Sequence, residues 1–133
     1  MTTTLTDLPT GHVFDPIDFV FDADRVHAYL GAVGDAGPAY AAAGLVPPLA
    51  VAALALGGLL NQVGLPPGAL HVMEAIEWTA PVPIGARVDC AASLVQRSQR
   101  SGWVVTILET RMQVDGAEVM KTRASVMSPA EPS

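Results

Sequence analysis

Residues 47–60 read Pro47-Pro48-Leu49-Ala50-Val51-Ala52-Ala53-Leu54-Ala55-Leu56-Gly57-Gly58-Leu59-Leu60. From Leu49 to Leu60 the run is apolar without a break, over 12 residues. A helix that crosses a bilayer needs about 20, and two prolines and Asn61-Gln62 bracket this run. It therefore predicts a buried helix and not a membrane span. A helix that is apolar all round has to be covered on all sides. Ala50, Ala52, Ala53, Gly57 and Gly58 are small enough for a sheet to wrap closely around it. Each glycine inside a helix costs about 1 kcal/mol relative to alanine, so Gly57-Gly58 points to close backbone packing or a bend.

Beyond Pro66-Pro67-Gly68 the apolar residues recur at every second position, which is the period of a strand. Strands are predicted over Leu70 to Thr79, Val88 to Arg97, Trp103 to Val114 and Ala117 to Met127. Val88, Cys90, Ala92 and Leu94 share one face, as do Val104, Thr106, Leu108, Met112 and Val114. Pro81-Val82-Pro83-Ile84-Gly85 predicts a turn, and Asp115-Gly116 a hairpin turn. On the other side of the apolar run, Val13 to Phe21 alternates weakly and predicts a short strand. Asp22 is placed to cap a helix over Ala23 to Val33. Val26, Tyr29, Leu30 and Val33 form its apolar face. Gly34 ends that helix, and Asp35 to Gly44 predicts a loop or a broken short helix. The fold class is α+β, with a central apolar helix and a long antiparallel meander. No repeat or linker divides the chain, so one domain over residues 1–133 is expected, with a loose end at 1–12 and a tail at 129–133.

Half of the residues are apolar and 15% are charged, with a net charge of -6. Such a chain can bury a core and is not disordered. The acidic balance argues against nucleic acid or an anionic membrane as partner. Cys90 is the single cysteine, so no internal disulfide forms and a reducing compartment suits the chain. Met1 to Pro9 has no basic residue and no long apolar run. No secretory signal is expected, and a cytoplasmic location is. The histidines His12, His27 and His71 lack metal-ligand spacing, and no metal is expected. There is no glycine-rich phosphate loop, no nucleophile elbow and no dinucleotide fingerprint.

Three places have chemical potential. Asp35 follows Gly34 at the end of a helix, where an aspartate is usually a turn residue. Pro47 and Pro48 lack N–H groups and pre-set the first turn of the apolar helix. The amides of Leu49, Ala50 and Val51 then lie at the positive end of its dipole, where a developing oxyanion is stabilised by about 3 kcal/mol per donor. His71 opens the strand that follows. Its ordinary reading is a half-buried strand histidine, and its functional reading is a base. Glu74 and Glu77 fall on opposite faces of that strand and are no carboxylate pair. Glu109 is set to pair across the sheet with Arg97 or Arg123. The basic residues of 96–100 read as a protected strand edge or as a site for phosphates.

The order Ala32-Val33-Gly34-Asp35, Gly37-Pro38, Tyr40, then Gly44-Leu45-Val46-Pro47-Pro48, resembles the MaoC-like (R)-specific enoyl-CoA hydratases. Leu70-His71, Glu77-Trp78 and Pro81-x-x-x-Gly85-x-x-Val88 are similar to the FAS1-like or MaoC N-terminal dehydratase domains of that superfamily. The likeness runs from about Asp18 to Pro129. It implies a hotdog fold, a long central helix wrapped by a curved antiparallel sheet. It also implies an acyl thioester of CoA or of a carrier protein as substrate, with no other cofactor. In the family, Gly-Asp is followed by Asn-Pro and then by a histidine five residues after the aspartate, and the pair activates water. Here Gly37 stands for the asparagine and Tyr40 for the histidine. Tyrosine, with a pKa near 10, is a poor base at neutral pH but donates a hydrogen bond.

The resemblance therefore implies an enoyl-thioester hydratase or dehydratase, or a relative with altered chemistry. Asp35 would position water or substrate, Tyr40 would donate a hydrogen bond, and His71 would be the base. Pro48, Leu49, Ala50 and Val51 would bind the carbonyl. The alternative is a non-catalytic subunit whose partner has the intact Asp and His. Either way the chain pairs as a homodimer or with a second hotdog chain, edge to edge. A hotdog thioesterase ranks lower, because Leu49 to Leu60 has no carboxylate. A biosynthetic isomerase or cyclase needs only a shaped pocket and one acid.

Overall fold

The computed structural model describes residues 4–32 and 44–130. In chain order the elements are β1 (Ile17–Val20), α1 (Ala23–Ala32), β2 (Leu45–Val46), α2 (Pro48–Leu60), β3 (Leu70–Trp78), β4 (Val82–Pro83), β5 (Arg87–Arg100), β6 (Trp103–Val114) and β7 (Ala117–Pro129). Five strands form one sheet in the order β1-β5-β6-β7-β3, antiparallel throughout. β2 and β4 form a separate two-stranded ladder.

Tight turns build the long hairpins. Asp115 and Gly116 take φ of 51° and 80° between β6 and β7. Ser101 and Gly102 do the same between β5 and β6, with φ of 50° and 83°. Left-handed residues at both turn positions match the right-handed twist of the flanking strands. Alternation then sorts the faces. Val88, Cys90, Leu94, Leu108, Met112 and Met120 point inward and are at most 2% exposed. Burying an aliphatic side chain of this size contributes about 1.5–3 kcal/mol. The Cys90 thiol belongs to this core, and burial pushes its pKa up to about 11.

α2 lies on the inner face. Ala50, Val51, Ala52 and Ala55 pack with Val88, Cys90, Met112 and Met120. Leu59 and Val63 pack further along with Leu94, Leu108 and Val126. The first half of the helix thus covers one end of the sheet and the second half the other. Val26 and Tyr29 of α1 join the first cluster.

The expected apolar helix is present, and only its expected cover on all sides needs correction. α2 has 13 residues, and Ala53 and Gly57 are exposed. A sheet covers only one side of a helix, and α1 reaches only part of the other. The two glycines also differ. A Cβ on Gly58 would stand 2.8 Å from Ile17 Cδ1, while nothing lies within 4 Å of one on Gly57. Close packing explains Gly58 alone.

The N-terminal segment differs from the loose end that its composition suggests. Leu5 and Leu8 are 1% and 8% exposed and close the second cluster. Arg97 holds them: it donates to the carbonyls of Leu5 and Leu8. A cation in the interior of β5 is thus a staple for a distant segment, a role that no local pattern signals.

Candidate active site

Asp35 and Tyr40, with Gly34, Gly37 and Pro38, lie outside the described residues. The elements around them are clear. Asp22 caps α1 as predicted: its Oδ1 accepts from the Arg25 N–H at 2.8 Å. α1 runs to Ala32 and β2 begins at Leu45, so the Asp35 segment connects α1 to the strand that leads into α2. Gly44, at φ 71°, accepts from the Ile84 N–H at 2.8 Å. Val46 pairs with Val82. The approach to α2 is therefore tied to β4.

Pro47 is the cap residue of α2, with φ −58° and ψ 133°, and Pro48 opens its first turn. The Pro47 carbonyl accepts from Ala50 at 3.0 Å and from Val51 at 3.4 Å. Both residues are buried, at 1% and 0% exposure. Two of the three amides proposed for carbonyl binding therefore have a partner inside the helix. No acidic residue stands in the first turn to neutralise the dipole. What is left at the helix start is a positive end next to the Asp35 segment in sequence.

His71 lies on β3 opposite Val126 and is exposed. Its Nε2 lies 3.9 Å from Glu74 Oε2. Residues three apart on a strand normally face opposite ways. The register shift between His71 and Met73 inserts Val72 and turns both side chains to one face. Burial pushes the Glu74 carboxyl up, and a charge on His71 offsets part of that rise. The His71–Glu74 pair was not legible, because a bulge leaves no mark on the alternation. Glu77 pairs with Lys121 in register and faces the other way, as predicted.

Val126 belongs to the core cluster around Leu59, not to the one around Ala50. His71 is thus beside the second half of α2, and a 13-residue helix is about 20 Å long. Within one chain, the structure does not bring His71 to the helix start.

The other charged residues resolve simply. Glu109 is held by Arg123 at 3.1 Å, Arg111 at 3.4 Å and Lys121 at 3.9 Å. Burial raises its pKa, but the Arg123 hydrogen bond and the three cations outweigh burial and lower it. The pairing with Arg123 was foreseen. Arg97 is on the opposite face with the N-terminal segment. His27 is exposed, and His12 stacks edge-on to Phe14 at 4.9 Å. Among the described residues no group of three metal-ligating side chains converges, and no helix is long and apolar enough to cross a membrane.

Among the described residues no strand pairs with the outer edge of β3. Leu70, Val72, Met73 and Trp78 on it are 55%, 48%, 65% and 47% exposed. Long apolar edges of this kind are what proteins normally blunt or cover. β1, at the other edge, has only four residues.

A scan against protein families matches none to this chain, and no curated protein matches it. Solved structures do. The (R)-hydratase of A. caviae involved in PHA biosynthesis superposes with a TM-score of 0.74 at 22% identity, over 94% of this chain and 98% of its own. The MaoC-like dehydratase of Rhodospirillum rubrum gives 0.72 at 20% identity, over 98% and 99%. A chain of the HadBC (3R-hydroxyacyl-ACP dehydratase) complex of Mycobacterium tuberculosis gives 0.74 at 19%, over 90% and 96%. The antiparallel sheet packed on α2 is the fold of the MaoC-like dehydratases and (R)-hydratases.

Proposed function

We propose that the chain acts on an acyl thioester of CoA or of a carrier protein, as an enoyl-thioester hydratase or dehydratase or a close variant of one. The observation that carries this reading is the start of α2. A double proline and an unneutralised helix dipole follow the Gly34-Asp35 segment, on the fold that structurally similar hydratases have. The substrate carbonyl would meet the Leu49 amide, since those of Ala50 and Val51 donate to Pro47. Asp35 would orient water or the substrate, and Tyr40 would donate a hydrogen bond. His71, with Glu74 as its carboxylate, would take part only where a second chain brings it to a helix start. A panel of enoyl thioesters offered to the purified protein tests the reading. Hydration of one of them supports it, and failure to bind or turn over any of them counts against it.

A second reading is favoured by the apolar edge of β3. Another sheet would pair there edge to edge, and one structurally similar chain comes from a two-component dehydratase complex. The chain would then be a subunit whose partner has the intact Asp and His. Activity of the homogeneous protein rules this out, and activity only in a mixture with such a partner supports it.

A further inference from the structure

Beside α2 runs a groove that neither the fold nor the helix start accounts for. One cavity of about 460 Å³ opens between α1 and the first half of α2. A second, of about 520 Å³, opens between β1 and the second half. Both are open to solvent and both are lined by Arg25 and Leu54, so they adjoin along one side of the helix. Ala50, Ala53 and Gly58 make the groove's floor, and Phe19, Phe21 and Tyr29 its walls. The volumes match those of small-molecule sites, which are apolar with a few placed polar groups.

Two charged residues line this groove, Asp18 and Arg25; Asp18 is held by Arg87 at 2.6 Å, which leaves Arg25 as its free cation among the described residues. The Arg25 side chain donates to the Val20 carbonyl at 3.1 Å and stands 5.8 Å from the centre of the Phe21 ring. A guanidinium has five N–H donors, and the bond to Val20 uses one of them. Among the described residues no carboxylate is within ion-pair distance of Arg25. Arg87, Arg111, Lys121 and Arg123 each have one. An exposed arginine at the mouth of such a cleft matches a planar anion, and carboxylates suit its fork.

Position supplies the rest. Leu54 lies five residues past Leu49, about 7.5 Å along the helix. A thioester carbonyl at the helix start would send its acyl chain down the groove, and a short chain would end at Arg25. We propose that the groove takes an acyl group with a carboxylate at its far end, and that Arg25 reads that carboxylate as a specificity residue. This rests on the acyl-thioester reading above.

Calorimetric titration of the protein with adipoyl-CoA, hexanoyl-CoA and CoA itself tests the proposal. The two acyl chains have equal length and differ in the terminal carboxylate. Adipoyl-CoA is expected to bind about fivefold tighter than hexanoyl-CoA, the discrimination of a partly exposed charge pair. Arg25→Gln should remove that preference and leave hexanoyl-CoA binding unchanged, and Arg25→Lys should keep part of it. Equal or weaker binding of adipoyl-CoA overturns the proposal. So does an Arg25→Gln change that weakens all three ligands alike, which would put the arginine on the phosphates of CoA. If adipoyl-CoA and hexanoyl-CoA both fail to bind, the acyl-thioester reading falls first and the proposal with it.

Discussion

Arg97 donates to the Leu5 carbonyl at 2.7 Å, across 92 residues of sequence. With the Leu8 carbonyl, that bond holds the buried Leu5 and Leu8 over the second core cluster. Replacing Arg97 by Met keeps the aliphatic stem and removes two charge-assisted bonds. The expected loss is about 2–3 kcal/mol. Urea unfolding should show it, and limited proteolysis should cut first near Leu5. An unchanged midpoint would mean that the leucines hold themselves.

Gly57 and Gly58 make a matched pair. Gly57→Ala meets open space and should stabilise the helix by about 0.5–1 kcal/mol. Gly58→Ala gains the same propensity but pushes against Ile17 Cδ1. The end of a flexible side chain can rotate away, so the net change should be near zero or slightly unfavourable. Thermal melts of the two variants should therefore separate, with Gly57→Ala the higher.

Glu109 gives a pH dependence with a defined sign. Its folded pKa is lowered from 4.5. Its contribution is therefore complete above the ordinary carboxylate value and is lost as pH falls through the lowered folded value. Its cationic partners are about half exposed or less covered by solvent, at 53%, 29% and 53%, so the term is modest, about 1 kcal/mol. Glu109→Gln should melt lower than the parent at neutral pH, the gap should close in acid, and added salt should shrink it. A gap that widened in acid would reverse the sign.

The strands were legible because their inner faces keep strict alternation. Val88, Cys90, Ala92 and Leu94 are buried as their period requires, and so are Thr106, Leu108 and Met112, while Val104 and Val114 at the ends of their strand are half-buried. The turn at Asp115-Gly116 was legible because two left-handed residues in a row have few other uses. What escaped reading depends on contacts between distant segments. Arg97 looks like a strand-edge charge until Leu5 and Leu8 fold over it. His71 and Glu74 share a face only because Val72 bulges out. The helix start was visible in Pro47-Pro48, but the carbonyl of Pro47 takes the Ala50 and Val51 amides. The groove at Arg25 needed α1, β1 and α2 to come together.

In the proposed function, Asp35 acts together with the start of α2 on an enoyl thioester. The most direct measurement is kcat/KM for hydration of crotonyl-CoA by the parent and by Asp35→Asn, which keeps the shape and removes the charge. A fall of about 100-fold or more is expected, the scale of a positioned acid or base, with the melting temperature unchanged. Equal kcat/KM for the two proteins would contradict the proposed function.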